Sequence, residues 1–465
     1  MPTRNGHEVY LVSGVEPEIA AYAMARYSRS ALSLRESLKE LDEQKAEKFL
    51  NTFYFEYGHR SIADLAHLSF AVERLSILAA IEVADESRWD GQERSTRYQQ
   101  FRTSGHITPA ELESDPGYAP AMAALFAAYE AVSAQVEAEL EAEHPRPEAM
   151  KPETYRRTLR ARAFDASRYL LPLGTATSLG QIVSARTLEQ QIVRLLSSPW
   201  SECREVGAAL KQAAGAPGAV PTLVRYTDPN PYQQQARAAL AQAAAELLQG
   251  VAPATAPGVH LESPATLEIE VAAALLYPHT HHSYGQLLAA VGALPAARRA
   301  EILALERGLR GAHDDVARPW QAGYAFQFDI LMDIGGFRDL HRHRRCVQLH
   351  QGYTPAHGYD TAPAVEASAA HDAYRAALAA AGAWAAARPA AAAYALPLGY
   401  RKRSLFKMDL AQLIYIAELR TAPGGHIAYR RAAWAMFEAL RARHPELARG
   451  LRVTDPNLPS DPLIR

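Results

Sequence analysis

Cysteine is scarce in this sequence, occurring twice in 465 residues, as Cys203 and Cys346. A disulfide framework beyond a single bridge is therefore excluded. Neither cysteine has a base or a partner at a recognisable spacing, although Cys346 follows several arginines, whose charge favours a thiolate. We predict that both thiols are chemically idle.

Long apolar runs are also missing, and the opening residues do not predict a leader segment. The opening residues, MPTRNGHEVYLVSG, lack the apolar core and small-residue cleavage site of a signal peptide. No charge-free run elsewhere is long enough to span a bilayer. The formal net charge is -2, so neither nucleic acid nor a membrane is expected as a partner, and an anionic ligand needs a local group of cations. A cytoplasmic enzyme or binding protein is the class that remains.

Common ligand-binding fingerprints are absent as well. The sequence has no P-loop and no glycine fingerprint of a dinucleotide-binding fold, so a flavin or nicotinamide must bind in another way. His279, His281 and His282 form a histidine-rich segment, but no CxxC or HExxH motif supplies further ligands at the spacing that zinc requires. We predict no metal site.

A faint internal repeat is present. The turn RYLLPLG at residues 168–174 is matched by AYALPLG at residues 393–399. Each turn precedes a predicted helix whose apolar residues recur at helical spacing. The two apolar stripes are Ala185, Leu188, Ile192, Leu195 and Leu196 in the first half, and Phe406, Leu410, Leu413, Ile414 and Ala417 in the second.

A change in composition separates the two halves. Residues 228–258 open with DPNPYQQQ, continue through an alanine-rich helix and close with VAPATAPG. We predict a first repeat at 1–227, a linker at 228–258 and a second repeat at 259–465. The apolar runs 8–13, 67–72 and 326–332 predict strands, so each repeat is expected to have an α+β fold with helices packed on a small sheet.

Two polar segments stand out as candidate binding motifs. RDLHRHRR at 338–345 concentrates four arginines in a nearly neutral chain, and guanidinium groups suit phosphate because they donate paired hydrogen bonds. A solvated basic helix face is the alternative. GQERSTRYQQF at 91–101 places Ser95 and Arg97 two residues apart, so both side chains project to one side of an extended segment and can grip one phosphate. A polar surface loop is the alternative there.

Together these segments resemble the signature of flavin-dependent thymidylate synthases. That family carries an RHR triplet, seven further residues and then S-x-R-Y, with a GHxS segment upstream and an arginine-led Leu-Pro turn downstream. The first half has GHRS at 58–61, ERSTRY at 93–98, RYLLP at 168–172 and SAR at 184–186, but Asp85, Glu86 and Ser87 stand in place of the triplet. The second half has RHR at 342–344, but Gly352 and Thr354 replace the later serine and arginine.

Each half therefore keeps the motif residues that the other has lost. In the family, one subunit supplies the triplet and a helix-terminal arginine, and a neighbour supplies the S-x-R segment and the turn arginine. The resemblance thus implies a tandem duplication that fused two neighbouring subunits and kept one composite site. It also implies that a homodimer is equivalent to the family's tetramer.

The resemblance implies a reaction and a role for each matched residue. The expected activity is synthesis of dTMP from dUMP with FAD, methylene-tetrahydrofolate and NADPH as reductant. The catalytic residue is expected to be Arg420. The residues expected to bind dUMP are Arg342, Asp339, Glu93, Ser95, Arg97 and Arg168. The residues expected to bind FAD are Ser61, His343, Arg344, Gln92, Arg186 and Gln190.

One departure concerns the substrate. The family has glutamine where this sequence has Asp339, and an acid beside a phosphate is unfavourable unless Arg338 or Arg345 pairs with it. Two alternatives therefore stay open: a related enzyme with a different nucleotide or a pterin as substrate, and an inactive homologue that only binds nucleotide or flavin.

Overall fold

The computed structural model describes residues 11–26, 33–39, 60–101, 105–311, 314–388, 390–458 and 463. In the first repeat the strands form a three-stranded antiparallel sheet in the order β1-β3-β2. The elements of this repeat are α1 (Pro17–Ala25), α2 (Leu34–Lys39), β1 (His67–Ser76), α3 (Ile77–Ala84), β2 (Asp90–Glu93), α4 (Tyr118–Glu143), α5 (Pro152–Ser167), β3 (Ala176–Ser184), α6 (Ala185–Leu196) and α7 (Ser201–Ala214).

The rest of the chain forms a four-stranded antiparallel sheet in the order β4-β5-β7-β6. Its elements are α8 (Pro231–Leu247), β4 (Gly258–Leu261), α9 (Leu267–Leu276), α10 (Tyr284–Gly292), α11 (Ala296–Arg307), β5 (Phe326–Asp333), α12 (Ile334–Leu340), β6 (Val347–His350), α13 (Pro363–Glu366), α14 (His371–Ala386), β7 (Arg401–Met408), α15 (Leu410–Arg420), α16 (Ile427–Arg443) and α17 (Pro445–Ala448). Short 3-10 turns lie at Arg60–Ile62, Ala110–Leu112, Arg168–Leu170, Tyr277–His279, Arg318–Trp320, Pro355–His357 and Ala390–Ala395.

The two sheets repeat one local design, in which a strand ends at a residue that caps the next helix. The hydroxyl of Ser76 accepts a hydrogen bond from the backbone N–H of Ala79 at the start of α3. The carboxylate of Asp333 accepts one from Gly336 at the start of α12. Such caps satisfy backbone donors that have no partner inside the helix.

The pairing register also repeats between the sheets. Asp90 of β2 pairs with Ile182 of β3, and Val347 of β6 pairs with Lys407 of β7, at equivalent points of the two sheets. Ser184 and Asp409 then cap α6 and α15 in the same way. The α+β fold and the tandem duplication are thus visible in backbone geometry as well as in sequence.

The proline-centred turns bring the repeats together. Leu173 donates its backbone N–H to Leu396, and Leu398 donates to Leu171, with N···O distances of 2.9 and 2.8 Å. The turns pair antiparallel around Pro172 and Pro397, which form a bridge. These reciprocal bonds define a pseudo-twofold axis between the repeats.

The glycines that end the two turns, Gly174 and Gly399, have no room for a side chain. A Cβ on Gly174 would lie 2.5 Å from the hydroxyl of Tyr118, and one on Gly399 would lie 3.1 Å from the backbone oxygen of Tyr169. The Cβ on Gly174 would also lie 3.0 Å from the backbone oxygen of Tyr394 in the other repeat, so close packing of the two turns favours glycine at both positions.

The main apolar core is shared by both repeats. It contains Leu171 and Leu173 of the first turn together with Leu396 and Leu398 of the second. A smaller core lies in the second repeat, and α8 contributes Leu240 to it. Helix α8 lies in the predicted linker, so that segment packs on the second repeat; the proposed boundaries of the two repeats remain predictions.

The structure confirms some of the strands and helix bounds predicted from the sequence and contradicts others. Residues 67–72 and 326–332 lie in β1 and β5, as predicted, whereas 8–10 lie outside the described residues and 11–13 are not in a strand. Helix α15 ends at Arg420, as predicted, but placing Phe406 on it is wrong, because this residue lies in β7 and faces the core. Over the described part of the chain, no helix is long and apolar enough to cross a membrane.

Candidate functional site

A cavity of about 820 Å³ lies between the repeats. The first repeat contributes the neighbourhood of β2 and the end of β3, and the second contributes the turn after α12 and one face of α15. Its lining includes Asp64, Trp89, Asp90, Gln92, Ile182, Ser184, Thr187, Arg342, His343, Arg344, Arg345, Gln412, Tyr415, Leu419 and Arg420. The RHR run therefore faces the β2 segment of the other repeat, which the sequence places about half a chain away.

Arg342 joins the repeats at this cavity. Helix α12 ends at Leu340, so the arginine run lies in a turn and Arg342 is exposed. Its Nη2 donates to Oε1 of Gln92 at 3.2 Å. Within the described ranges, no carboxylate lies at ion-pair distance from Arg342, so its charge stays available to a ligand.

Arg420 and His343 form a second polar pair in the cavity. Nε of Arg420 donates to Nε2 of His343 at 2.7 Å, so this imidazole nitrogen is an acceptor. Burial, aided by the charge of Arg420, lowers the pKa of His343 to about 3. His343 is thus neutral at physiological pH, and Arg420 carries the positive charge.

Arg344 lies against the indole of Trp89, with its guanidinium carbon 5.1 Å from the ring centroid. Nη1 donates to the backbone oxygen of His341. Nε and Nη2 are buried and have no hydrogen-bond partner in the part of the chain that the structure describes. Buried donors of this kind are normally satisfied, so a ligand acceptor beside Arg344 fits the site.

The charge of the cavity lining is predominantly positive. Arg88, Arg342, Arg344, Arg345 and Arg420 line it, against the carboxylates of Asp64 and Asp90. Asp64 is already paired with Arg88 at 3.3 Å and with Arg186 at 3.0 Å. Because the excess is local in a nearly neutral chain, the cavity suits a ligand that carries phosphate.

Arg97 has internal partners on every nitrogen of its guanidinium group. Nε and Nη2 donate to the carboxylate of Asp165 at 2.6 and 3.0 Å, and Nη1 donates to the hydroxyl of Tyr429 at 3.2 Å. The Ser95 hydroxyl accepts from the backbone N–H of Arg97 rather than meeting its guanidinium. A joint grip of these two side chains on a phosphate requires Arg97 to leave Asp165.

Arg168 is buried and bound to Asp339 across the repeats. Nη1 and Nη2 both donate to Oδ2 of Asp339, at 3.2 and 3.1 Å. Burial raises the pKa of Asp339, but Arg168, Arg97, His426 and Arg420 together outweigh it, so the net pKa is lowered and the carboxyl stays ionised. The carboxylate thus neutralises an arginine predicted to hold phosphate.

Neither Arg338 nor Arg345, the two arginines considered as partners that could offset Asp339, pairs with it. Arg338 instead pairs with Glu93 at 2.6 Å, and Arg345 lies 3.7 Å from Asp409. The turn at Pro172 carries Arg168 across the pseudo-twofold axis to Asp339. Spacing within the second repeat cannot indicate a partner that comes from the first.

The residues predicted to bind dUMP or FAD divide into those that line the cavity and those that do not. Gln92, His343 and Arg344, predicted to bind FAD, line the cavity together with Arg342 and Arg420. The other predicted residues do not line the cavity. They are Glu93, Ser95, Arg97, Arg168, Asp339, Ser61, Arg186 and Gln190. Of these, Gln190 donates to Asp315 and Arg186 pairs with Asp64, while Ser61 is exposed in the short turn Arg60–Ile62.

Sequence reasoning missed the acid and the aromatic groups of the site. Asp165 lies on α5, and no motif singles it out, although it is the buried partner of Arg97. Trp89 and Tyr415 supply aromatic surface to the cavity. Trp89 follows the position equivalent to the lost RHR triplet, which is the one signal that draws attention to it.

The comparisons with known proteins agree with the duplicated architecture. A profile described as thymidylate synthase complementing protein matches residues 10–215 and 266–446. A UPF0159 protein of Chlamydia muridarum is 30% identical, over 94% of this chain and 90% of its own length. A flavin-dependent thymidylate synthase of Clostridium tetani is 26% identical, over 37% of this chain and 67% of its own length.

A solved structure is also similar over one part of the chain. It is thymidylate synthase X from Helicobacter pylori, solved with FAD and dUMP; it is 18% identical, with a TM-score of 0.31, over 45% of this chain and 94% of its own. The profile covers most of the sequence in two successive regions. This chain therefore belongs to the thymidylate synthase complementing protein family, as a member with two tandem copies of the family's unit.

Proposed function

We propose that this protein is a flavin-dependent thymidylate synthase-type methyltransferase that makes dTMP from dUMP at one composite site per chain. The observation that carries the proposal is the convergence of Arg342, Arg420 and Gln92, drawn from two repeats, on one positively charged cavity. Methylene-tetrahydrofolate supplies the one-carbon unit in this proposal, and NADPH is the reductant.

The residues around the cavity fit FAD as the cofactor. Arg344 has two buried N–H groups without a partner in the described chain, which suit the acceptor oxygens of a diphosphate. Ile182, Tyr415 and Leu419 are 52%, 56% and 47% exposed, and they offer apolar surface to a flat ring system. When bound, the flavin supplies hydride relay, and the protein supplies position and charge. Ser61, Arg186 and Gln190 remain proposed contacts.

Nucleotide binding is assigned to both repeats. Arg342 holds the phosphate in this proposal, with Glu93, Ser95, Arg97, Arg168 and Asp339 around it. Arg420 lies beside the base and stabilises its ionised form, because His343 accepts a hydrogen bond from it and leaves the charge on the guanidinium. The neutral His343 thereby fixes the orientation of the catalytic arginine.

A second candidate is a related enzyme whose substrate carries less negative charge, such as a pterin or a different nucleotide. Arg97 and Arg168 are already neutralised by Asp165 and Asp339, so phosphate recognition falls mainly on Arg342. Breaking a buried ion pair to admit phosphate costs about 3–5 kcal/mol if one partner is left unpaired. This observation favours a substrate other than a nucleoside monophosphate.

The test separates flavin binding from substrate identity. The purified full chain is expected to bind FAD, seen in its absorbance spectrum, and to release tritium from dUMP labelled at the carbon that receives the methyl group. Arg342→Gln is expected to abolish tritium release, because the available phosphate partner is lost. Arg441→Gln, on the exposed face of α16 and paired with Glu438, is the control.

Each result decides between the candidates. Bound flavin without tritium release contradicts the dUMP assignment and leaves the second candidate and an inactive homologue that only binds flavin. A chain that binds no flavin contradicts both enzyme proposals and leaves the inactive nucleotide-binding homologue. We also propose a homodimer, since one chain corresponds to two ordinary subunits of the family's tetramer.

A further inference from the structure

The pseudo-twofold axis relates the composite site to a second place in the molecule where the charges differ. Counting from the helix caps Ser76 and Asp333, Asp85 occupies the position equivalent to Arg342. His350 ends β6 as Glu93 ends β2. An arginine and a glutamate at one site are therefore replaced by an aspartate and a histidine at the other.

We propose that Asp85, His341 and His350 bind one divalent transition-metal ion at this mirror position. One ligand atom from each residue lies within 4.8 Å of the other two. Nε2 of His350 and of His341 lie 3.6 and 4.0 Å from Oδ1 of Asp85, which is longer than a hydrogen bond. Two imidazoles and a carboxylate form a ligand set typical of zinc, cobalt and ferrous ions.

The imidazole nitrogens that face this space are buried and unsatisfied. Nε2 of His341 and both ring nitrogens of His350 have no hydrogen-bond partner among the residues described, and His341 is 2% exposed. Leaving one buried polar group without a partner costs about 1–3 kcal/mol. A bound ion would satisfy Nε2 of His341 and Nε2 of His350 at a single point.

Neighbouring residues already orient two of the three ligands, His341 and Asp85. The amide of Gln348 donates through Nε2 to the backbone oxygen of His343 at 2.8 Å, so its Oε1 is the acceptor for Nδ1–H of His341, also at 2.8 Å. The lone pair of Nε2 of His341 is then directed at Asp85 and His350. Arg318 donates to both the carboxylate and the backbone oxygen of Asp85, at 2.7 and 2.9 Å. Such outer contacts commonly hold metal ligands in place.

The local charge indicates which ions are suitable. Arg318 neutralises Asp85, and Arg344 donates to the backbone oxygen of His341, so electrostatic attraction for a dication is weak. Binding must then depend on nitrogen lone pairs, which Zn²⁺ and Co²⁺ accept readily and Mg²⁺ and Ca²⁺ do not. This proposal departs from the expectation of no metal site, which considered the segment at His279.

That segment forms other contacts. Both ring nitrogens of His282 are bonded, to Thr280 and to the backbone oxygen of Val251, at 2.6 Å each. His281 packs edge-on against His357, with ring centroids 5.6 Å apart. His357 is a useful control for the proposed site, because it is 2% exposed and its ring nitrogens also have no hydrogen-bond partner in the described chain.

The experiment is a Co²⁺ titration of the full chain after treatment with chelator, followed by the visible absorbance of the bound ion. One equivalent is expected to bind, to be displaced by Zn²⁺ and to persist in excess Mg²⁺. His341→Gln and His350→Gln are expected to weaken binding at least about tenfold, whereas His357→Gln leaves it unchanged. Circular dichroism and the melting temperature show that each variant is folded.

A positioning role for Gln348 gives a second, independent measurement. Gln348→Leu removes the acceptor for His341 and is expected to weaken Co²⁺ binding about 10- to 100-fold. Gln348→Glu keeps an acceptor there and is expected to restore most of the affinity. The proposal is overturned if the full chain binds no Co²⁺ stoichiometrically, or if the two histidine variants bind it as tightly as His357→Gln does.

Discussion

At the scale of single residues, the arginines of this protein fall into two kinds. Arg342 and Arg420 line the cavity and, within the described residues, have no carboxylate at ion-pair distance. Arg97 and Arg168 are buried and bound to Asp165 and Asp339. The same side chain thus serves as an available cation in one place and as half of a structural pair in another.

Asp339→Gln tests whether Arg168 can bind an anion once its internal partner is removed. The variant removes the carboxylate and leaves a buried guanidinium, so the protein is expected to lose about 3–5 kcal/mol of stability. An added anion can then take the empty place, so the melting temperature is expected to rise with inorganic phosphate or dUMP more steeply than in the unaltered protein.

Thermal melts over a range of phosphate concentrations measure this. Asp360→Asn, which breaks the Arg401–Asp360 pair outside the cavity lining, is the matched control and should lose stability without a gain in phosphate response. An equal phosphate response in Asp339→Gln and in the unaltered protein would show that Arg168 is closed to anions.

At the scale of elements, four strand-to-helix junctions use the same capping chemistry in different surroundings. Ser76, Ser184, Asp333 and Asp409 each accept a hydrogen bond from the first turn of the following helix. Asp409 is largely exposed, whereas Asp333 is 1% exposed. Burial raises the pKa of Asp333 to about 7, against the lowering effect of Arg168.

This raised pKa predicts a stability that falls as pH rises. Between the unfolded pKa of about 3.9 and the folded value of about 7, the folded protein binds a proton that the unfolded chain has released. The contribution of Asp333 to folding stability is therefore complete at pH values below these two pKa values. It is lost as the pH rises from the lower value through the higher one.

Asp333→Asn is expected to remove this dependence while keeping a cap. We compare the free energy of unfolding of the variant with that of the unaltered protein at two pH values. The difference should change by about 3 kcal/mol in favour of the variant when the pH rises from about 5 to about 8. Urea unfolding at both values measures it. Asp409→Asn, at the exposed junction, is the control and should show no such gain; an equal gain in both variants would mean that burial of Asp333 is not the cause.

At the scale of the whole molecule, the two repeats share one core and one cavity. Apolar side chains from both repeats remain exposed at the cavity edge, including Ile182 on β3 and Tyr415 on α15. Exposed apolar groups around a binding cavity are a common feature of surfaces that a second subunit covers. This is the surface on which we place the second copy of the proposed homodimer.

Light scattering is expected to give twice the chain mass at micromolar concentration. Tyr415→Lys should shift the protein toward monomer, because a charge would be buried in the contact. Tyr226→Lys changes a tyrosine that is 63% exposed elsewhere and should leave the mass unchanged. A monomer that still binds flavin would contradict the homodimer.

The sequence was informative about local features and less so about partners. The LPLG turns, the end of α15 at Arg420 and the strands at 67–72 and 326–332 follow from periodicity and turn residues, which act over a few positions. Phe406 was misplaced because an apolar residue at the end of a buried strand fits a helical stripe equally well. The partners of Arg168 and Arg338 come from the other repeat, across the pseudo-twofold axis, and Arg97 pairs with Asp165 of its own repeat, 68 residues along the chain. No short-range spacing reveals any of them.

The antiparallel contact between the LPLG turns has an evolutionary consequence. In an assembly of identical subunits, symmetry copies every substitution into each equivalent place, so a change that harms one site harms them all. When both units are encoded in one chain and their turns pair at Pro172 and Pro397 within that chain, equivalent positions are inherited separately. Arg342 and Asp85 can then carry opposite charges in the same molecule, and natural selection can act on each of them alone.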